Sequence, residues 1–402
     1  MNMNKLKHIV LVSKDATLPE YYGPYGGKLL KTPNIDELAA KGTVFNRHYT
    51  AAPSTAMAFA AMFTGKFSYE MGYTNYQEVE KYSGRTLFDE LEERGYENHI
   101  LWSHNYIKMA ERYSKCYGKN TIHHDAMKFN LSCGINTEHT SAFRKYDNAL
   151  MESVVGDLLK EIDTIDYSHK PIFLWIHMPH CMLGGISYGS DIEYYDKLIG
   201  ELRKRFGDDN FFITADHGHM NGAKGKFAYG FDVYESAIRI PLIAPLINGQ
   251  KTIDYPTSNI QLSEIILNHT VSKLPYVLSD TAYCAQPHRK LAIIKDDFCY
   301  IYNRRGKKEE LYNIVIDPSE DINLVEGYFR KDPDRKRITD IRHVVLYPEW
   351  EQVPYILKEM RTIKDTIWKT GVFKEELRLL FSYYYNRVKF GLLTSLFKLK
   401  KL

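Results

Sequence analysis

Four short apolar runs, rich in β-branched and aromatic residues, constrain the fold of this chain more than any other feature. They begin at residues 8, 98, 172 and 211 and read HIVLVS, NHILW, IFLWI and FFITA. Such runs suit strands that are buried on both faces of a parallel sheet. Helical signals lie between them, at Asn34–Lys41, Leu87–Arg94 and Asp191–Phe206. We therefore predict a doubly wound α/β sheet, mostly parallel and flanked by helices.

The pattern changes past Gly249, where shorter runs alternate with turns. Leu291–Ile294, Phe298–Tyr302 and Glu310–Tyr312 are typical of short antiparallel strands. The chain should therefore have three parts: a catalytic α/β core over residues 1–250, a smaller C-terminal α+β subdomain over 251–330 that completes the fold, and a linker with a basic amphipathic helical tail over 331–402.

Composition excludes several classes of protein. The 402 residues are 44% apolar and 26% charged, which is the composition of a globular protein. A formal net charge of +3 is too small to indicate a nucleic-acid partner. There is neither an apolar run long enough to span a membrane nor a signal-peptide pattern. The five cysteines are odd in number and form no CxxC pair, so we expect reduced thiols and a soluble cytoplasmic protein.

The strongest candidate site lies in FITADHGH, where an apolar run ends at Asp216 and His217, followed by Gly218. A carboxylate and an imidazole at the carboxyl end of a strand suit a divalent transition metal. Asp15 follows the first apolar run, so it would emerge at the same edge of the sheet. Taken alone, each of these acids is more often an ordinary turn or loop residue.

A turn with two capping hydroxyls, Ser54 and Thr55, precedes a small-residue helix that ends near Gly65. A hydroxyl at a helix N-terminus lies at the positive end of the helix dipole, which favours an anion or a developing alkoxide. Plain N-capping explains the segment by itself. Beside a metal, the hydroxyl becomes a candidate nucleophile.

The order of these pieces resembles the alkaline phosphatase superfamily, in its sulfatase-like branch. The resemblance covers roughly residues 5–325 and rests on eight segments in the expected order: VLVSKD, YYGPYGG, KTPNIDELAAKGTVFNRHYTAAPS, TAMAFAAMFTGK, TLFDELEERGY, FLWIHMPH, TADHGH and VYESAIRIPLIAP. It implies that Asp15, Asp216 and His217 hold one divalent metal (zinc, manganese, calcium or magnesium), which also acts on the nucleophile's hydroxyl.

The resemblance allows two alignments of the nucleophile. Matching Pro53-Ser54 to the Pro-Ser of the sulfatase signature places it on Ala51, which has no reactive group. Counting back from Thr64-Gly65, which ends the helix in the family, places it on Thr55. Phosphoethanolamine and phosphoglycerol transferases of the superfamily carry their threonine there, so we take Thr55 as nucleophile and as a contact of the metal.

The choice of Thr55 as nucleophile affects which ester the protein is expected to cleave. Sulfatases convert a Cys or Ser into formylglycine, and a threonine cannot give the same aldehyde. The signature's Arg and the Lys that follows the family's GYxxA strand are both missing from this chain. These departures disfavour sulfate-ester hydrolysis and favour phosphoryl chemistry through a phospho-threonine intermediate.

Further site residues are implied by the resemblance. His177 and His180, in WIHMPH, resemble histidines that bind a second metal or protonate the leaving group, with packed core histidines as the alternative. Relatives often have a histidine where this chain has Tyr229, which argues for one metal rather than two. The remaining candidates for contact with phosphate or substrate are His104, Lys224, Lys226 and Tyr229 itself.

The end of the chain carries a separate signal. Between Leu377 and Leu402 there are six basic residues, no acidic residue and an apolar face at helical spacing. Such a segment either lies on an anionic membrane surface or packs on the protein body or a second subunit.

Together these features predict a metal-dependent phosphodiesterase or phosphotransferase that acts on phosphorylated glycans or lipid-linked substrates. The cytoplasmic face of a membrane, as in polysaccharide biosynthesis, is the expected location. The alternatives are a sulfatase, a simple phosphomonoesterase, or a catalytically silent scaffold that keeps the fold. The sequence does not predict an oligomeric state.

Overall fold

The computed structural model describes residues 7–71, 82–103, 116–127, 148–178, 191–226, 229–281, 289–325 and 352–369. Its strands are β1 Ile9–Lys14, β2 Thr43–Phe45, β3 His48–Tyr49, β4 Glu97–Ser103, β5 Ile122–Met127, β6 Ile172–Met178, β7 Phe211–Ala215, β8 Arg239–Ile240, β9 Leu242–Ala244, β10 Thr252–Ile253, β11 Thr257–Ser258, β12 Val277–Asp280, β13 Lys290–Lys295, β14 Phe298–Asn303 and β15 Lys308–Asn313. Its α-helices are α1 Pro33–Lys41, α2 Thr55–Thr64, α3 Leu87–Glu93, α4 Asn148–Ile162, α5 Ile192–Phe206, α6 Glu235–Ile238, α7 Leu262–Asn268 and α8 Val353–Lys369.

An eight-stranded sheet forms the centre of the molecule, in the order β10-β2-β9-β7-β1-β6-β4-β5. Within it, β9 runs antiparallel to its neighbours β2 and β7, and the other pairings are parallel. A second sheet has the order β11-β3-β8. The predicted fold class, a mostly parallel α/β sheet flanked by helices, is confirmed.

Helices cover both faces of the large sheet because its central strands are apolar on both sides. On β1, Ile9 and Leu11 face one core with α2, α3 and α7, whereas Val10 and Val12 face another core with α1, α4 and α5. Successive side chains of a strand point to opposite faces of the sheet, so a strand that is buried on both faces has apolar residues at every position. The carboxyl ends of β1, β6 and β7 therefore lie side by side between two helical layers.

All four apolar runs form strands of the large sheet, and the three predicted helices form α1, α3 and α5. One detail differs. The sequence predicts that Asn34 opens α1, but the helix begins one residue earlier, because proline at Pro33 fits a first turn that needs no N–H partner. The Asn34 side chain instead donates to Asp196 Oδ2 on α5, at 2.8 Å.

The C-terminal strands form a four-stranded antiparallel sheet in the order β12-β13-β14-β15, which contains the three predicted short strands. Helix α8, which the sequence analysis did not predict, packs on one face of this sheet through Val353, Leu357 and Met360. β10 and β11 pair with β2 and β3, so residues 252–258 belong to the sheets of the core. The three-part division of the chain remains a prediction.

The predicted linker and the basic tail beyond residue 370 lie outside the described residues. Among the helices that the structure describes, none has the length and apolar content that a membrane crossing requires.

A buried ion pair lies at the carboxyl end of β1, on the face of the sheet opposite α2. Lys14 Nζ lies 2.8 Å from Asp191 Oδ2, at the start of α5, and each side chain is 2% exposed. Two charges buried this deeply are tolerated only while both are present, since neither can be hydrated if its partner is removed.

Replacement of one member of this pair should therefore destabilise the fold strongly. For Lys14→Met we expect a loss of about 3–5 kcal/mol in the free energy of unfolding, measured by urea denaturation. The double variant Lys14→Met/Asp191→Leu should recover most of that loss, because no buried charge remains. A loss below about 1 kcal/mol in the single variant, as for an exposed ion pair, would contradict this account.

Candidate active site

The candidate site lies at the carboxyl edge of the large sheet, where β1 and β7 end together. Lys14 and Ala215 are paired residues on these parallel strands, so Asp15 and Asp216 leave the sheet side by side. Ligand atoms of Asp15, Asp216 and His217 all lie within 4.8 Å of one another, and all three residues are buried. The parallel pairing of the two strands thus builds the cluster that the sequence predicts.

Backbone groups fix the Asp216 carboxylate in one orientation. Its Oδ1 accepts hydrogen bonds from the N–H groups of Ala16, at 3.1 Å, and His217, at 2.8 Å. Ala16 reaches this position with a φ of 51°, in the left-handed region that non-glycine residues seldom adopt. Oδ2 is buried and accepts no hydrogen bond from any residue that the structure describes.

The ring of His217 presents a lone pair to the two carboxylates. Its Nδ1 lies 2.8 Å from the Gly218 carbonyl oxygen, which can only accept, so Nδ1 carries the proton. In the neutral ring the other nitrogen, Nε2, then has the free lone pair, and it lies 3.4 Å from Asp216 Oδ2 and 3.6 Å from Asp15 Oδ1. This arrangement is favourable when a cation, either a proton or a metal ion, lies between Nε2 and the two acidic oxygens.

The pKa of Asp216 is consistent with a cation site between these groups. Burial raises the pKa of its carboxyl to about 6; the neighbouring His217 opposes the rise, and the charge of Asp15 adds to it. Two carboxylates and an imidazole, with Nδ1–H fixed on a carbonyl, form a donor set that fits a divalent metal. Within the described part of the chain, no other group of three such residues meets the same spacing.

Thr55, the first residue of α2, stands beside this cluster. Its Oγ1 lies 3.2 Å from His217 Nε2, and the residue is partly exposed. Ala51, the other alignment for the nucleophile, is buried among apolar side chains, and its N–H donates to Asn259 Oδ1 at 2.9 Å. Of the two alignments, the one through Thr55 brings a hydroxyl to the acidic cluster.

Tyr229 also reaches the cluster, since its ring centroid lies 4.5 Å from that of His217 and 5.9 Å from that of His219. His219 was not singled out from the sequence, although the DHGH spacing was the available signal. Its ring is buried, and Nδ1 accepts the Asn221 N–H at 2.9 Å.

The remaining predicted residues have other contacts. His177 is buried on β6, with Nδ1 2.9 Å from Ser13 Oγ and its ring against Phe59. Lys224 Nζ donates to the Glu320 carbonyl, and Lys226 Nζ lies 2.8 Å from Asp232 Oδ2, so both ammonium groups have acidic or carbonyl partners. His104 and His180 lie outside the described residues.

Comparison with known proteins agrees with the motif order. Residues 7–181 match the family model described as Sulfatase. The chain carries a sulfatase-family domain. This domain match agrees with the resemblance found in the eight segments, to the sulfatase-like branch of the alkaline phosphatase superfamily.

Individual relatives extend this match over most of the chain. It is 28% identical to an arylsulfatase of Clostridium perfringens, over 84% of this chain and 93% of the relative. Among solved structures, a 2-O GAG sulfatase superposes with a TM-score of 0.64 at 16% identity, over 93% of this chain and 94% of the other. The phosphonate monoester hydrolase of Agrobacterium radiobacter superposes with a TM-score of 0.56 at 14% identity, over 88% and 96%. These structural similarities show a shared fold.

The acidic cluster predicts a specific pattern of metal affinities. Asp216→Asn removes one charge from the ligand set while it keeps the shape of the side chain. We expect it to weaken binding of Mn²⁺ or Zn²⁺ roughly 100-fold or more, measured by titration calorimetry. Thr55→Ala removes no charged ligand and should change that affinity little. Equal affinities of Asp216→Asn and the native protein would contradict the assignment.

Proposed function

We propose that this protein is a metal-dependent phosphoester hydrolase or phosphotransferase with Thr55 as its nucleophile. One observation carries the proposal: the Thr55 hydroxyl lies 3.2 Å from His217 Nε2, beside two buried carboxylates and at the start of a helix. A hydroxyl in this position has an acidic metal-ligand set on one side and the positive end of the α2 dipole on the other.

The residues of the cluster and Thr55 would have different roles in this reaction. Asp15, Asp216 and His217 would hold the divalent ion, which supplies positive charge that lowers the pKa of the Thr55 hydroxyl and offsets the charge of the ester oxygens. Thr55 Oγ1 gives its proton to solvent and attacks phosphorus in line; the bond to the departing alcohol breaks as the new bond forms, and the oxygen of that alcohol takes a proton from solvent. The first N–H groups of α2 favour the anionic oxygens through the helix dipole. Water or an acceptor hydroxyl then takes the phosphoryl group and restores Thr55.

The nucleophile favours phosphorus over sulfur. A threonine cannot give the aldehyde on which sulfatases of this family depend, and Ala51, at the other aligned position, offers no reactive group. Sulfate-ester hydrolysis is nevertheless the second candidate, because the family model is named for sulfatases and a relative that matches most of the chain is an arylsulfatase. Both candidates would use the same metal ligands, and they differ in the ester that is cleaved and in the group that attacks it.

A glycan is the substrate class that we propose for either reaction. One structure with the same fold is a GAG sulfatase, whose named substrate is a polysaccharide. On this chain, the Tyr229 ring lies at the cluster, and Phe231, two residues on, is 48% exposed. An aromatic ring beside a polar site, such as that of Tyr229, is suited to stacking on a sugar ring. A lipid-linked glycan at a membrane surface, held through the basic tail, remains part of the proposal.

The test is turnover of p-nitrophenyl phosphate, bis-p-nitrophenyl phosphate and p-nitrophenyl sulfate, with Mn²⁺, Zn²⁺, Mg²⁺ or Ca²⁺ added in turn. We expect phosphoester cleavage that needs the metal and falls about a thousandfold or more in Thr55→Ala. Thr55→Ser keeps a hydroxyl and should retain measurable turnover, which makes it the matched control.

The other outcomes are equally informative. Sulfate cleavage, with the phosphoesters untouched, would replace the leading candidate by the second. Native rates in Thr55→Ala would show that the nucleophile is wrong. If none of the three esters reacts, the metal content of the purified protein separates an enzyme with a selective donor from a scaffold, since a scaffold need not bind metal at Asp15, Asp216 and His217.

A further inference from the structure

Asn259 connects a distant part of the chain to the segment that leads into helix α2. Strand β11 pairs in parallel with β3, and Ser258 lies opposite Tyr49 in that pairing. Asn259 therefore leaves the second sheet beside Thr50. The side chain of Asn259 is buried, and the roles given above to the metal ligands and the nucleophile do not involve it.

The amide of Asn259 makes hydrogen bonds on both sides of the proposed nucleophile. Its Oδ1 accepts the Ala51 N–H at 2.9 Å, and its Nδ2 donates to Thr50 Oγ1 at 3.2 Å and to the Ala58 carbonyl at 3.3 Å. Thr55 lies between Ala51 and Ala58 in the chain. One side chain thus ties the segment before α2 to the first turn of the helix.

The chemistry of these neighbours explains why an amide stands at this position. The Ala51 N–H needs an acceptor, and the Ala58 carbonyl and Thr50 Oγ1 accept from a donor. A carboxylate would only accept, and an aliphatic side chain would do neither, whereas an amide carries both functions. Because Asn259 is 1% exposed, its loss would leave these groups without a replacement from solvent.

Helix α2 lacks the cap that usually fixes the start of a helix. Ser54 occupies the N-cap position, but its side chain makes no capping hydrogen bond, and its buried Oγ has no partner among the residues that the structure describes. The groups that hold this segment come from outside the helix. Besides Asn259, they include the Asp280 N–H, which donates to the Ala51 carbonyl at 3.0 Å.

We propose that Asn259 is a positioning residue for the nucleophile. It keeps the start of α2 where Thr55 Oγ1 lies 3.2 Å from His217 Nε2, beside the acidic cluster. The inference rests on the proposed function, because it concerns the nucleophile named there. A displacement of about 1 Å at the reacting atoms can lower a rate roughly 100-fold, so the loss of this amide should affect turnover even though the amide touches neither ester nor metal.

The position of residue 55 can be measured without turnover. In Thr55→Cys a thiolate replaces the hydroxyl, and its bond to Co²⁺ in the acidic cluster gives a sulfur-to-cobalt charge-transfer band in the near ultraviolet. The native protein with Co²⁺ is the baseline, because the chain has cysteines of its own. We expect the band in Thr55→Cys and its loss in Thr55→Cys/Asn259→Leu. The affinity of Asn259→Leu for Co²⁺, measured by titration calorimetry, should equal that of the native protein.

The matched control is another buried asparagine. Asn98 is 3% exposed, and its Nδ2 donates to the Phe88 carbonyl at 2.9 Å, which joins β4 to α3. These two elements carry neither Thr55 nor a ligand of the cluster. Asn98→Leu should therefore lower the melting temperature as a lost buried amide does, while the band of Thr55→Cys/Asn98→Leu stays.

A second variant, Asn259→Asp, tests the inference if Asn259→Leu does not fold. It keeps the shape of the side chain and the acceptor for the Ala51 N–H, but an ionised carboxylate donates no hydrogen bond. We expect the cobalt band of Thr55→Cys/Asn259→Asp to weaken. In the protein that retains Thr55, Asn259→Asp should lower kcat for the phosphoester roughly 100-fold with little change in KM.

The possible failures are distinguishable. A band of full strength in both Asn259 variants would overturn this inference and leave the proposed nucleophile in place. Equal loss of the band in the Asn98→Leu control would also overturn it, because general destabilisation would then explain the effect. Absence of the band in Thr55→Cys itself would place residue 55 away from the metal, which overturns the proposed function and this inference with it.

Discussion

The central constraint in this protein is the buried juxtaposition of two carboxylates at the ends of adjacent parallel strands. The register of β1 with β7 places Asp15 beside Asp216, and burial with mutual repulsion raises the pKa of the Asp216 carboxyl to about 6. The backbone is committed to this arrangement, since Ala16 adopts a left-handed conformation to donate to Asp216. A divalent cation bound between these groups would relieve their repulsion, and the position of Thr55 would give that cation a role in a reaction.

Much of the fold could be predicted, because short apolar runs separated by helical segments are typical of a doubly wound sheet. The four strands that position the site and helices α1, α3 and α5 follow from local pattern alone. Helix α8 could not be predicted from local pattern, because its few apolar residues are buried only by their packing on the four-stranded sheet. Helix α1 begins at Pro33 because a proline fits the first turn, and the Asn34 side chain is used in a contact with α5 that no local signal predicts.

The candidate site also has features that local pattern predicts and features that it does not. Asp15, Asp216 and His217 could be placed together from strand ends, and the hydroxyl of Thr55 from the helix that follows it. The partners of Lys224 and Lys226 could not, because Glu320 lies far along the chain and Asp232 pairs with Lys226 through the fold of a loop. The proton of His217 also depends on a backbone carbonyl, which sequence pattern does not reveal. Local pattern thus gave the reactive groups, and tertiary contacts gave their protonation and surroundings.

The central claim is that Thr55 forms a covalent bond to the ester's phosphorus. The direct measurement is rapid acid quench of the metal-loaded protein with bis-p-nitrophenyl phosphate, followed by peptide mass spectrometry. The account predicts a phosphoryl-type adduct on the peptide that contains Thr55, with early release of p-nitrophenol and no adduct in Thr55→Ala. Turnover without any adduct in the quenched protein, or an adduct on another residue, would contradict it.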